Sequence, residues 1–162
     1  MIDDCCSPQA KATPSLSPKA PCPMNGQVGK RVESLTLKAL LAIPLTQLSP
    51  KEYRFCQATD CPTVYYSADG GQCFAEADLR ERVYQKHPAD DDILVCYCFQ
   101  HTVGGIRDEV ARTGASTIVE RVVAGIQAGQ CACDIRNPQG ECCLGNVRRV
   151  VQQVEAEFAK LN

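Results

Sequence analysis

Tryptophan is absent from the 162 residues, and five tyrosines with four phenylalanines make up the whole aromatic content. Aromatic rings supply much of the buried area in ordinary cores. A chain this poor in them needs other staples: disulfides, metals or partners. Charge of one sign is also lacking. Seventeen basic and 19 acidic residues leave a net −2 at pH 7, which excludes a strongly basic nucleic-acid binder. No long hydrophobic run exists. The longest, Leu35 to Leu45, is interrupted by Lys38 and Pro44, so no membrane span is expected. The start, Met1-Ile2-Asp3-Asp4, lacks the basic and apolar segments of a secretory signal. A cytoplasmic location is therefore expected. Histidine is scarce too: His87 and His101 are the two present. A Rieske-type centre needs two on one iron, and His101 reads as a surface or capping residue. Gly104-Gly105 lacks the Lys-Ser/Thr of a phosphate loop.

Cysteine is what the chain has in abundance, 12 in all. In a reducing compartment such a set reads first as metal ligands and second as redox sites. Residues 1–20 are rich in Pro, Ser, Ala and Lys and read as a disordered tail, with the vicinal pair Cys5-Cys6 inside it. Residues 21–88 read as a small β-rich unit. A strand is expected over 32–37 and a short helix over 37–43, stopped by Pro44. Tyr53–Cys56 and Thr63–Tyr66 have β character, and Ala68-Asp69-Gly70-Gly71 reads as a hairpin turn. Residues 89–92 read as an acidic linker. Residues 93–162 read as a helical unit. One helix is expected to be capped by Thr102 and stopped by Gly114. A second opens on a Thr117/Glu120 capping box and ends at Gly129. A third, from about 144 to 160, carries Val147, Val150, Val151, Val154 and Phe158 on one stripe. The expected fold class is α+β, a small β-rich domain followed by a small helical one.

The second half holds Cys96-Tyr97-Cys98, Cys131-Ala132-Cys133 and Cys142-Cys143. A helical hairpin between the first two groups returns the chain to one place. Four thiolates there suit an iron–sulfur cluster. A 2Fe–2S cluster on four thiolates is an anion, and the helix starting near Leu144 offers backbone N–H donors and a positive end. Arg136, Arg148 and Arg149 lie close in sequence. The spacing fits a tetrathiolate zinc site equally well. Cys56-x4-Cys61 opens the plant-type ferredoxin pattern, but residue 64 is Val where that pattern needs Cys.

Cys96-x-Cys98, the hairpin, and Cys133-Asp-Ile-Arg-Asn-Pro-Gln-Gly-Glu-Cys142-Cys143 resemble the 2Fe–2S region of CopZ-type copper chaperones, itself related to bacterioferritin-associated ferredoxin. Cys22-Pro-x-x-Gly26 and Phe55-Cys56-x4-Cys61-x-x-Val64-Tyr65 resemble the zinc-binding domain that precedes it in that family. The resemblance covers about residues 21 to 155. It implies a mononuclear zinc site followed by a 2Fe–2S domain. Cys96, Cys98, Cys133 and Cys143 match the cluster positions, with Cys142 and Cys131 as alternatives. Cys22, Cys56 and Cys61 match zinc positions. Asn25 stands where the second cysteine of the Cys-Pro-x-Cys pattern would be, so Cys73 or water is left for the fourth place. Cys73 itself reads as a buried strand residue.

The resemblance further implies one-electron reduction of a soft metal ion, such as Cu(II) to Cu(I), with zinc holding the β unit. Metal ions, transient copper among them, and a protein electron donor or metal transporter are the partners it implies. The family's C-terminal heavy-metal-associated domain, with its Met-x-Cys-x-x-Cys loop, has no counterpart in these residues. Direct copper delivery is therefore not expected, unless Cys5-Cys6 substitutes in part. Two other functions fit the same cysteines: a ferredoxin-like electron-transfer partner, and a non-redox zinc adaptor.

Overall fold

The computed structural model describes residues 19–162, so Cys5 and Cys6, and most of the tail expected over residues 1–20, lie outside the described residues. The architecture is α+β, with a β-rich N-terminal region followed by a helical C-terminal region.

Four short strands form the first sheet: β1 (Lys30–Val32), β2 (Tyr53–Phe55), β3 (Thr63–Ser67) and β4 (Cys73–Ala75), antiparallel in the order β1-β2-β3-β4. The central strand β3 is buried at all five positions. Successive side chains on a strand face opposite ways, so Tyr65 and Tyr66 serve two different cores. Tyr65 joins Val32, Leu37, Leu41, Phe55 and Phe74. Tyr66 joins Ala20, Cys22, Cys56 and Cys61. The expected turn closes β3 onto β4, with Gly70 at φ +73° and the Asp69 carboxylate accepting from Ser67 Oγ and Gly71 N–H.

Helix α1 spans Ser34–Leu40, a turn earlier than the expected 37–43, and the strand before it is correspondingly short. The residue ending the helix is Leu41, not Pro44. Leu41 leaves in an extended conformation and bridges Leu79, a contact remote in sequence. Leu37, Leu40 and Leu41 are all buried, so the position of the helix follows from which leucines the core takes in.

In the second region a hairpin of β5 (Leu94–Cys96) and β6 (His101–Thr102) leads into α2 (Val103–Thr113), α3 (Ile118–Gln127), α4 (Cys133–Arg136) and α5 (Leu144–Leu161). Val147, Val150, Val151 and Val154 of α5 are buried against Ile106, Val110, Ile118 and Val122. Thr102 caps α2 as expected, its Oγ1 accepting from Gly105 N–H at 3.0 Å, and Gly114 ends α2 at φ +82°. The capping box expected at α3 is absent. Thr117 makes no side-chain cap bond; its hydroxyl instead donates to Glu109 and accepts from Arg121. Half-buried His101 lies in β6, beside the cap residue and not at it. Among the described residues, no helix is long and apolar enough to cross a membrane.

The two regions are in direct contact. Tyr65 Oη donates to Pro138 O at 2.5 Å. Tyr97 Oη donates to Arg82 O at 2.6 Å and accepts from Tyr84 N–H. Gly140, at φ +71°, lies so close to Val32 and Thr36 that a β-carbon would sit 2.9 Å from Thr36 Oγ1. The Asn137–Gly140 turn is thus seated on the β-rich region.

Candidate metal centres

Cys22 follows Pro21, whose bridge to Val28 closes a tight loop. Gly26 N–H donates to Cys22 O at 2.8 Å, and Gly26 adopts φ +72°, which favours glycine. Cys56 lies directly after β2 and Cys61 just before β3, so the β2–β3 connection delivers two thiols and the loop at 22 the third. All three are buried. Their sulfurs lie within 4.8 Å of one another, and among the described residues this is the one such group of three or more ligand atoms. Cys22 and Cys61 are 3.9 Å apart. A zinc–thiolate bond of about 2.3 Å in a tetrahedron demands a sulfur–sulfur edge of about 3.8 Å, so the triad fits zinc.

The loop also supplies donors to the sulfurs. Burial works against the Cys22 thiolate, but backbone N–H groups of Met24 and Asn25, together with hydrogen bonds from Cys61 and Cys56, outweigh it and lower the thiol's pKa. At Cys56 burial prevails and the pKa rises, against the Ala58 N–H and the Lys86 charge. Lys86 is held there by donating to Ala58 O at 2.6 Å. Asn25 Nδ2 donates to Cys56 Sγ at 3.5 Å. Cys73 stands apart. It is an exposed residue of β4 and not the buried one expected, because it sits on an edge strand with its side chain away from Phe74. Its thiol is raised by burial of the sulfur and by the fields of Cys22 and Cys61.

The second set gathers from four elements. Cys96 ends β5, Cys98 follows in the β5–β6 turn, Cys133 opens α4, and Cys143 caps α5. Cys98 and Cys133 sulfurs are 3.6 Å apart. Cys143 contacts both Cys133 and Cys96. The contacts run as a chain, 96–143–133–98, and no three of these sulfurs fall mutually within 4.8 Å. Ala132 N–H donates to Cys98 Sγ at 3.2 Å. Hydrogen bonding from Cys143 holds Cys96 at about 7 and Cys133 at about 6. The same contacts push Cys143 up, and burial raises Cys98 to about 11. Four thiols spread in two neighbouring pairs, with backbone donors among them, fit a two-iron cluster. Exposed Cys142 also contacts Cys133, whereas Cys131 is half-buried.

Sequence reasoning missed the supports of these sites. Tyr66 Oη accepts from Gly29 N–H and donates to Ala20 O, both at 2.7 Å, pinning the strands that carry the triad. Adjacent tyrosines in an alternating strand were the available signal. Residues 134–141 form the end of the short α4 and a turn braced by Asn137.

The fold and the triad define a two-region α+β protein with a buried cysteine triad whose geometry suits a metal ion. Residues 19–80 match the CopZ-type family described as "Zinc binding domain", so this part is a CopZ-like zinc-binding region. The chain is 28% identical over 129 residues to the copper chaperone CopZ of Archaeoglobus fulgidus, covering 80% of this chain and 60% of the relative. It therefore spans about 60% of the length of that curated relative. The X-ray structure of the Archaeoglobus fulgidus CopZ N-terminal domain superposes with a TM-score of 0.67 at 28% identity, over 80% of this chain and 96% of that one.

Proposed function

We propose that this chain is a cytoplasmic redox metal-handling protein in two domains, residues 21–88 holding zinc at Cys22, Cys56 and Cys61, and residues 93–162 holding a 2Fe–2S cluster at Cys96, Cys98, Cys133 and Cys143. The observation that carries the reading is the chain of sulfur contacts 96–143–133–98, four thiols of which no three stand mutually within 4.8 Å as the zinc triad's do. Likeness to a copper chaperone over most of the chain supports soft metal ions as cargo. A bound cluster of this type supplies one electron at a time. Held by Cys96, Cys98, Cys133 and Cys143, it would supply the single electron that takes a copper-type ion from Cu(II) to Cu(I), the state that thiolates prefer. A protein electron donor would be the partner that restores it. The residues hold the charge in place: backbone N–H groups of 98, 99, 132 and 143 face the sulfurs, and the start of α5 lends its positive end. A metal transporter is a further partner consistent with this reading.

The test is an anaerobic purification followed by iron, acid-labile sulfide and zinc analysis. About two iron, two sulfide and one zinc per chain are expected. Zinc alone, after attempted cluster reconstitution, overturns the redox reading in favour of a zinc adaptor. The dithionite-reduced protein is then mixed with Cu(II). Reoxidation with formation of Cu(I) is expected, and its absence favours an electron-transfer partner for another protein.

A further inference from the structure

The loop that carries Cys22 presents a second side chain to the triad three residues further on. Cys-x2-Cys spacing is the common way for one turn to give zinc two thiolates, and here that second position is Asn25. Its side chain does reach the triad, since Nδ2 lies 3.5 Å from Cys56 Sγ. Its carbonyl oxygen is already committed: Oδ1 accepts from Gln27 N–H at 2.9 Å. That bond fixes which amide atom faces the sulfur, and it is the N–H side, a donor with no lone pair for zinc. Asn25 therefore holds a thiolate and does not complete the shell. Among the described residues no further Cys, His, Asp or Glu atom joins the three sulfurs within 4.8 Å, exposed Cys73 included.

We infer that the Cys22–Cys56–Cys61 site holds its metal through three thiolates with the fourth vertex open to an incoming thiolate, and that Asn25 keeps it open. This inference rests on the zinc reading above. Structural zinc sites are closed by four ligands, and sites that exchange or react keep a position free. Three thiolates on a divalent ion leave one net negative charge, which the nearby Lys86 offsets. Two surface clefts adjoin the buried site. A cleft of about 290 Å3 beside Val28 reaches Cys56, and another of about 390 Å3 beside Pro62 reaches Cys61. The occupant is a soft anionic sulfur donor, from a small thiol or from a cysteine of another protein. It adds to the metal as thiolate at the open vertex, its thiol proton passing to solvent, and changes no oxidation state.

The experiment loads the whole chain with one equivalent of Co(II) at the triad and reads the thiolate-to-cobalt charge-transfer band, whose intensity counts thiolates. Three-thiolate intensity is expected, rising by about one third on titration with glutathione and saturating at one thiol per cobalt. Asn25→Cys is expected to start at four-thiolate intensity and ignore glutathione. It should also release zinc to a chelator at least about tenfold more slowly than the natural chain. Four-thiolate intensity in the natural chain without added thiol overturns the inference while leaving the zinc site standing. A three-thiolate band that glutathione leaves unchanged overturns it as well. Failure to bind cobalt at all overturns the zinc reading itself.

Discussion

Tyr65→Phe removes a single oxygen from the interior and tests whether the β-rich region supports the cysteine loop. Tyr65 is fully buried, and its hydroxyl donates at 2.5 Å to the carbonyl of buried Pro138. Pro138 lies between Cys133 and Cys143, two proposed cluster ligands. The phenylalanine ring keeps the packing, so the cost is that of a buried acceptor left without its donor, about 1–3 kcal/mol. Part of the turn is held independently, because Asn137 Nδ2 donates to Glu141 O at 2.8 Å and Asn137 Oδ1 accepts from Gln139 N–H. The effect should therefore lie toward the lower end of that range. Burial pushes the Tyr65 phenol well above its ordinary pKa, so the hydroxyl remains a donor across the working range and the loss should not depend on pH between 6 and 9. The assay is urea unfolding of natural and variant chains at equal zinc content, with iron release to a chelator followed in parallel. Lower stability and faster iron loss, with zinc retention unchanged, are expected. A stability change under about 0.5 kcal/mol, the size of an ordinary surface substitution, with unaltered iron release, would refute the argument.

Cys98→Ser should abolish iron binding while Cys131→Ser retains it, because Cys98 touches Cys133 and accepts from Ala132 N–H; iron per chain decides. Gly125→Ala gains up to about 1 kcal/mol of helix propensity, but its β-carbon would sit 2.3 Å from Phe99 Cζ. Overpacking of about 1–3 kcal/mol should win, and calorimetry should show a lower melting temperature. Burial acts to raise the Glu109 carboxyl, yet hydrogen bonds from Ser116 and Thr117 and the Arg121 charge hold it below the usual range. Its contribution is then complete above the ordinary carboxylate pKa and is lost as pH falls through the lower folded value. The stability gap between the natural chain and Glu109→Gln should close on acidification, which chemical unfolding at several pH values will show.

Local patterning was enough to reveal much of this protein. Short β-favouring runs and valines at helical spacing announced the α+β class, since burial of one face imposes a period of 2 or 3.6 wherever a strand or helix forms. Gly70 and Gly114 marked reversals because their backbone conformations favour glycine. Cys22, Cys56 and Cys61, chosen by resemblance, are brought together by the fold. Other features depended on contacts between distant residues. Leu41 left the helix in an extended conformation to pair with Leu79 in the core and ended α1 early. Thr117 gave its hydroxyl to Glu109, from the preceding helix, and left its cap unmade. Cys73, on the edge strand, came out exposed. The seat of the cysteine loop on Tyr65, and the commitment of Asn25 Oδ1 to Gln27, are matters of a few ångströms between groups whose positions were set by packing elsewhere. Spacing along a chain says which side chains can converge; which atom each one presents is decided when the backbone donors and acceptors around it have been satisfied in three dimensions.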